Sequence, residues 1–272
     1  MQQIQAVGVS MQWIETHLIT LYYFKIPNIM FTKTKLSIVL IGLGLLGTYQ
    51  QTFGQEVHGK ANVWYLLLIN HKLNDQWNLG SEIHMRYDDW MNSEAQFLFR
   101  PYIDFNTKSN PNVVYTFGYT YVKTYPYGDY PLPIGKPENN VWEQITLKHQ
   151  VNQLKIQHRY RLEQRWQRDI SYNDVQNQYE LDGTSFSGRF RYRLTMTQPL
   201  SDTYFLNVFD ELWIRGSNQS LQYDRNWLYV GLGTNLSSNY SIQLAYLHQY
   251  AQNNPERYER HHGIQVTGSV KI

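Results

Sequence analysis

Leu154-Lys155-Ile156-Gln157-His158-Arg159-Tyr160-Arg161-Leu162-Glu163-Gln164-Arg165-Trp166-Gln167 alternates without a break. Leu154, Ile156, His158, Tyr160, Leu162, Gln164 and Trp166 fall on one face; Lys155, Gln157, Arg159, Arg161, Glu163, Arg165 and Gln167 fall on the other. A second stretch repeats the arrangement, with Phe186, Gly188, Phe190, Tyr192, Leu194 and Met196 opposed by Ser187, Arg189, Arg191, Arg193, Thr195 and Thr197. A period of two is the signature of a β-strand. On a soluble sheet the arginines would lie in water. In a transmembrane barrel the apolar face meets lipid and the arginines line the lumen.

Composition favours the barrel. Of 272 residues 15% are aromatic, with 23 Tyr and 8 Trp, yet mean hydropathy is -0.53. Many rings in a polar chain suit lipid-facing residues that alternate with lumen residues, with aromatic girdles at both membrane boundaries. A net charge of +2 gives no footprint for a nucleic-acid partner. The absence of Cys removes disulfides, thiol catalysis and Cys-based zinc sites.

Near the amino terminus, Lys33 and Lys35 precede the apolar run Leu36 to Gly47 and then Thr52-Phe53-Gly54. This layout predicts a signal peptide over 30–54 that is cleaved before Gln55. Residues 1–29 read as an upstream extension from a misassigned start, and 55–272 as the barrel. The apolar run is short for a membrane-spanning helix. The expected location is the outer membrane of a Gram-negative bacterium, with outer-membrane lipid as partner.

The mature chain predicts strands near 62–72, 76–87, 94–105, 113–124, 140–151, 153–167, 186–198, 203–214, 225–236, 239–250 and 259–272. Their connections alternate in length. Tight turns at 73–75, 152, 200–202 and 237–238 and a moderate one at 106–112 are interleaved with longer links at 88–93, 125–139, 168–185, 215–224 and 251–258. Short periplasmic turns and longer extracellular loops belong to outer-membrane barrels, whose strand number is normally even. Eleven visible strands conflict with that parity, so the expectation is an all-β, antiparallel transmembrane barrel of about 10–12 strands. Trp77, Tyr87, Trp90, Trp142, Trp166, Tyr204, Trp213, Trp227 and Tyr240 lie near strand ends and read as girdle residues.

The run His158 to Arg165, the arginine strand ending at Pro199-Leu200, Glu211, and Tyr223-Asp224-Arg225-Asn226-Trp227-Leu228-Tyr229-Val230-Gly231-Leu232-Gly233 resemble a family of outer-membrane β-barrels catalogued as domain of unknown function 2490. Tyr246-Leu247-His248-Gln249 is similar as well, and the resemblance spans Trp64 to Ile272. Trp227 departs from it, standing where an Arg is expected after Asn226. The resemblance implies a fold and a location but no activity.

The candidate lumen site is Lys155, Arg159, Arg161, Glu163, Arg165, Arg189, Arg191, Arg193 and Glu211. A cationic wall in a narrow passage attracts small anionic solutes, and guanidinium forks match carboxylate and phosphate. The competing reading is an occluded barrel that fills its own interior with an Arg–Glu network. A third reading is a lipid hydrolase built on an outward His, with His149, His158 and His248 as candidates. No cofactor motif and no metal site is read. Gly231 and Gly233, on the inward face, relieve crowding.

Overall fold

In the computed structural model, residues 57–58 and 61–272 are described, apart from 129–130, 218–219 and 255–256. The expected upstream extension (1–29) and signal peptide (30–54) lie outside the described residues. The strands are β1 (Val57–His58), β2 (Ala61–Lys72), β3 (Trp77–Asp88), β4 (Ser93–Asn106), β5 (Val113–Thr124) and β6 (Lys136–Val151). They continue with β7 (Leu154–Asn173), β8 (Gln178–Pro199), β9 (Tyr204–Ser217), β10 (Ser220–Asn235), β11 (Tyr240–Asn254) and β12 (Arg257–Lys271).

From β2 to β12 each strand pairs antiparallel with the next, and β12 closes on β2 in parallel, from His262↔Ala61 to Lys271↔Asn70. The result is a closed barrel of eleven strands. Parity explains the seam: when successive strands alternate in direction, an odd number leaves the first and last pointing the same way. β1 pairs with β12 through Val57↔Tyr258 and His58↔Glu259, the same offset as the β2 register, so it prolongs β2 along the seam. The missing twelfth strand is therefore not needed for closure.

At one end of the barrel the turns share a chemistry. In Leu73-Asn74-Asp75-Gln76-Trp77 the Asn74 Oδ1 accepts from the backbone N–H of Gln76 and Trp77 at 2.9 and 3.0 Å. Ser201 Oγ does the same for Thr203 and Tyr204, and Ser237 Oγ for Asn239 and Tyr240. Each of the three turns also has a leucine N–H bonded to the carbonyl of the aromatic four residues later. A side chain that mimics a backbone turn fixes where each strand begins. Lys72 Nζ, 2.8 Å from Asp75, holds that turn carboxyl below its usual range.

The opposite end differs from the sequence reading. Residues 168–185 were expected as a loop, but β7 runs to Asn173 and β8 starts at Gln178, so the two form one long hairpin turning at Asn177 (φ 53°). Likewise β9 reaches Ser217, β10 starts at Ser220, β11 reaches Asn254 and β12 starts at Arg257. Polar residues such as Ser171, Asn173, Glu180 and Asp182 break the hydrophobic alternation. They do not break the backbone pairing, which continues from Ile170↔Leu181 to Asn173↔Gln178. The long-link asymmetry is thus expressed largely as strand height.

Alternation sorts the two faces as expected. Leu67, Leu79, Phe99, Phe117, Leu162, Leu232 and Leu244 are exposed on the outer wall. Inside, large rings lie flat against glycines of the neighbouring strand. A Cβ at Gly118 would stand 2.2 Å from Trp142 Cζ2, and one at Gly233 would stand 2.2 Å from Phe205 Cζ. The barrel narrows its lumen with rings that only glycine admits. Gly118→Val is expected to destabilise the barrel by about 1–3 kcal/mol, as overpacking does, read as a lower midpoint in urea unfolding from detergent micelles; an unchanged midpoint would show that Trp142 can move aside.

Candidate functional site

Strands β7, β8 and β9 put the predicted residues on one inner wall. Arg159, Arg161, Glu163 and Arg165 project from β7, Arg189, Arg191 and Arg193 from β8, and Glu211 from β9. Cross-strand register sets them side by side: Arg159↔Arg193, Arg161↔Arg191, Glu163↔Arg189 and Arg193↔Glu211. Like-charged residues directly opposite each other repel, so the arrangement requires acids between them. Lys155 stays apart. It is exposed on the same face at the short-turn end, with no ion pair among the described residues.

Two carboxylates organise the wall. Glu211, with 0% of its surface exposed, accepts from Arg159, from Arg191 Nε at 2.8 Å and from Arg193 Nη2 at 2.6 Å. Glu163 takes Arg189 Nε at 2.7 Å and Arg191 Nη1 at 2.8 Å. Arg191 therefore bridges both acids. Arg165 grips Glu138 of β6 with two bonds of 2.8 Å, and Gln167 adds a third. Charge-assisted, forked pairs of this kind are the strong class of hydrogen bond, and their geometry is specific.

The wall is joined across the lumen by stacked rings. The Arg191 guanidinium lies 3.8 Å over Trp213, which packs 4.5 Å from Trp227. Trp227 meets Trp64 of β2 edge to face at 5.2 Å, and Arg86 of β3 lies 4.0 Å over Trp64. Because β10 and β2 are not neighbours in the sheet, Trp64 and Trp227 touch through the interior. An unbroken column of guanidinium and indole thus runs from the β8 wall to the β3 wall, stabilised by cation–π and aromatic contacts. Arg161, 2% exposed, stacks similarly at 3.8 Å over Trp142.

Several participants were missed or misplaced in the sequence reading. Trp142, Trp213 and Trp227, read as girdle residues, are inside the barrel at 1%, 5% and 4% exposure. Each stands an even number of residues from a lumen residue on its own strand, as Trp213 does from Glu211, so strict parity would have found them. Glu138 lay in the expected loop 125–139 and so had no face assigned. Asp224, which faces Arg189 and Arg225, lay in the expected link 215–224, and a β-bulge between Tyr223 and Arg225 shifts the parity of its strand.

His158 Nδ1 lies 2.9 Å from the Tyr192 hydroxyl on the outer wall, and its ring stacks on His149. His248 packs against His262. Among the described residues none of these histidines is hydrogen-bonded to a serine, and no group of three or more His, Asp or Glu is arranged to hold a metal. In the link between β5 and β6, burial pushes the Tyr127 hydroxyl above its ordinary value while the nearby Arg225 guanidinium opposes it.

A family model described as "Protein of unknown function (DUF2490)" matches residues 61–260. Among solved structures, the translocator domain of autotransporter NalP from Neisseria meningitidis is similar at 11% identity, covering 69% of this chain and 71% of that one with a TM-score of 0.40. Comparison with curated proteins finds no match.

Proposed function

This chain belongs to the DUF2490 family of proteins of unknown function, and from its outer-membrane-like barrel we propose an outer-membrane protein whose lumen is sealed against through-passage. Export would use the signal peptide at 30–54, and the apolar outer wall would meet lipid. The short turns would face the periplasm, with the tall hairpin of β7 and β8 outside. One observation carries the sealed reading: the Arg191–Trp213–Trp227–Trp64–Arg86 column spans the interior from wall to wall. The arginines expected to meet a passing anion are committed to Glu211, Glu163 and Glu138.

A guanidinium held by a buried carboxylate has its charge at least partly offset and its geometry fixed, which favours a structural brace over a vacant cationic rail. The wall then acts as an internal brace, tying β6, β7, β8 and β9 together through side chains as well as backbone. Planar-bilayer recording on the purified barrel is expected to give no sustained conductance at 0.1–1 M KCl, concentrations at which Debye lengths are roughly 10 to 3 Å. A steady, anion-selective current from the unmodified protein would overturn the sealed reading and restore the Arg-lined channel.

A further inference from the structure

Beside the column lies a cavity of about 210 Å³ that runs toward the short-turn end. Its lining includes five guanidiniums (Arg86, Arg100, Arg159, Arg191 and Arg193) and one carboxylate, Glu82. Arg100 is engaged by Glu82, and Arg159, Arg191 and Arg193 by Glu211. Arg86 is different. It is 7% exposed, donates to the neutral Gln96 and stacks on Trp64, and it has no carboxylate partner among the described residues.

Four of the residues that line the cavity carry nitrogens whose hydrogen-bonding capacity the protein does not use. Arg86 Nε, Trp227 Nε1, His84 Nδ1 and Arg159 Nε are buried without a hydrogen-bond partner. His84, Arg86 and Trp227 are each more than nine-tenths buried. An uncompensated buried guanidinium is costly, and so are the orphaned N–H groups of Arg86, Arg159 and Trp227; His84 Nδ1, whose ring donates through Nε2 to Glu82, is an acceptor. One acceptor bearing a single negative charge would answer both deficits. The remaining walls are apolar at Leu66, Leu68 and Phe209 and amide-lined at Gln157, Asn207 and Gln243.

We propose that this cavity binds a small organic monocarboxylate, its carboxylate against Arg86 and Trp227 Nε1 and its body along Leu66, Leu68 and Phe209. Arg86 is the one guanidinium of the lining with no carboxylate in contact among the described residues, and a single carboxylate would pair it. The apolar wall selects an organic body over a bare inorganic ion. Lys148, Lys155 and Lys271 stand exposed on inward faces at the short-turn end, where they would raise the local concentration of anions. This assignment depends on the fold and the cavity, and is independent of whether the lumen passes solute.

The test is titration of the refolded barrel in micelles with sodium benzoate and sodium butyrate, against 1-butanol and inorganic phosphate, by calorimetry and by the fluorescence of the indoles beside the cavity. Saturable binding is expected for the carboxylates and not for the alcohol. Arg86→Gln is expected to weaken binding roughly tenfold or more, as loss of a charge-assisted hydrogen bond does. Trp227→Phe keeps a ring and removes the N–H, and is expected to weaken binding by about threefold to tenfold, the scale of one neutral hydrogen bond. Heat-modifiable migration identifies the folded barrel in each case, and Trp227→Phe carries the test if Arg86→Gln fails to fold. Absence of saturable carboxylate binding, binding of phosphate alone, equal affinity for butanol, or unchanged affinity in every folded variant would overturn the assignment.

Discussion

Glu211→Ala is expected to destabilise the barrel more than any other single carboxylate substitution, by about 3–5 kcal/mol, because removing one member of a buried ion network strands its partners. Arg159 and Arg193 make their ion pairs to Glu211 alone among the described residues, whereas Arg191 retains Glu163. The substitution would leave two guanidiniums in the lumen without a counter-charge, on adjacent strands and directly opposite each other in register. Equilibrium unfolding in urea, followed by the loss of heat-modifiable migration, measures the effect. Asp75→Asn serves as the contrast, since that carboxylate pairs with Lys72 in an exposed turn. Surface pairs contribute little, so its midpoint is expected to match the unmodified protein. Equal midpoints for Glu211→Ala and Asp75→Asn would refute the internal brace.

Trp227→Ala is expected to have the second large effect, on two readouts. Trp227 touches Trp64 at 5.2 Å and Trp213 at 4.5 Å, and Arg86 lies 5.3 Å over it. Truncating a buried Trp costs about 3–5 kcal/mol through lost contacts and the void left behind. Here the void is in the middle of the column and beside the existing cavity, so the sealed interior should open. Planar bilayers are expected to pass current with anion preference, since the surrounding wall is rich in arginine. Trp166→Ala, on the outer wall where Trp166 packs on Phe186, is expected to leave the bilayer silent. Silence in Trp227→Ala would refute the column as the seal.

Much of the barrel was legible locally. The β7 and β8 faces, the turns at Asn74, Ser201 and Ser237, and the inward glycines follow from residues within a few positions of one another. Polar residues at 168–185 misled, because hydrophobic alternation reports where a strand has an apolar face and not where its hydrogen bonding ends. The tryptophans misled for a related reason: an indole suits a membrane interface and also suits a guanidinium in a lumen, and only strict parity along the strand separates the two. The bulge at Asp224 removes even that rule, since one extra residue moves a side chain to the other face.

By itself the sequence determined which side chains share a face, and so that this chain is a barrel with arginines inside. Only the tertiary structure decided what those arginines meet. A period of two is a property of one strand and needs nothing beyond neighbouring residues. Pairing Glu211 with Arg159 requires the register of three strands, and placing Trp64 against Trp227 requires closure of all eleven, with the parallel β2–β12 seam setting which residues look at each other across the lumen. Closure is a constraint on the whole ring, and it turned a cationic wall into a braced, filled interior with one guanidinium, Arg86, left unpaired beside a cavity.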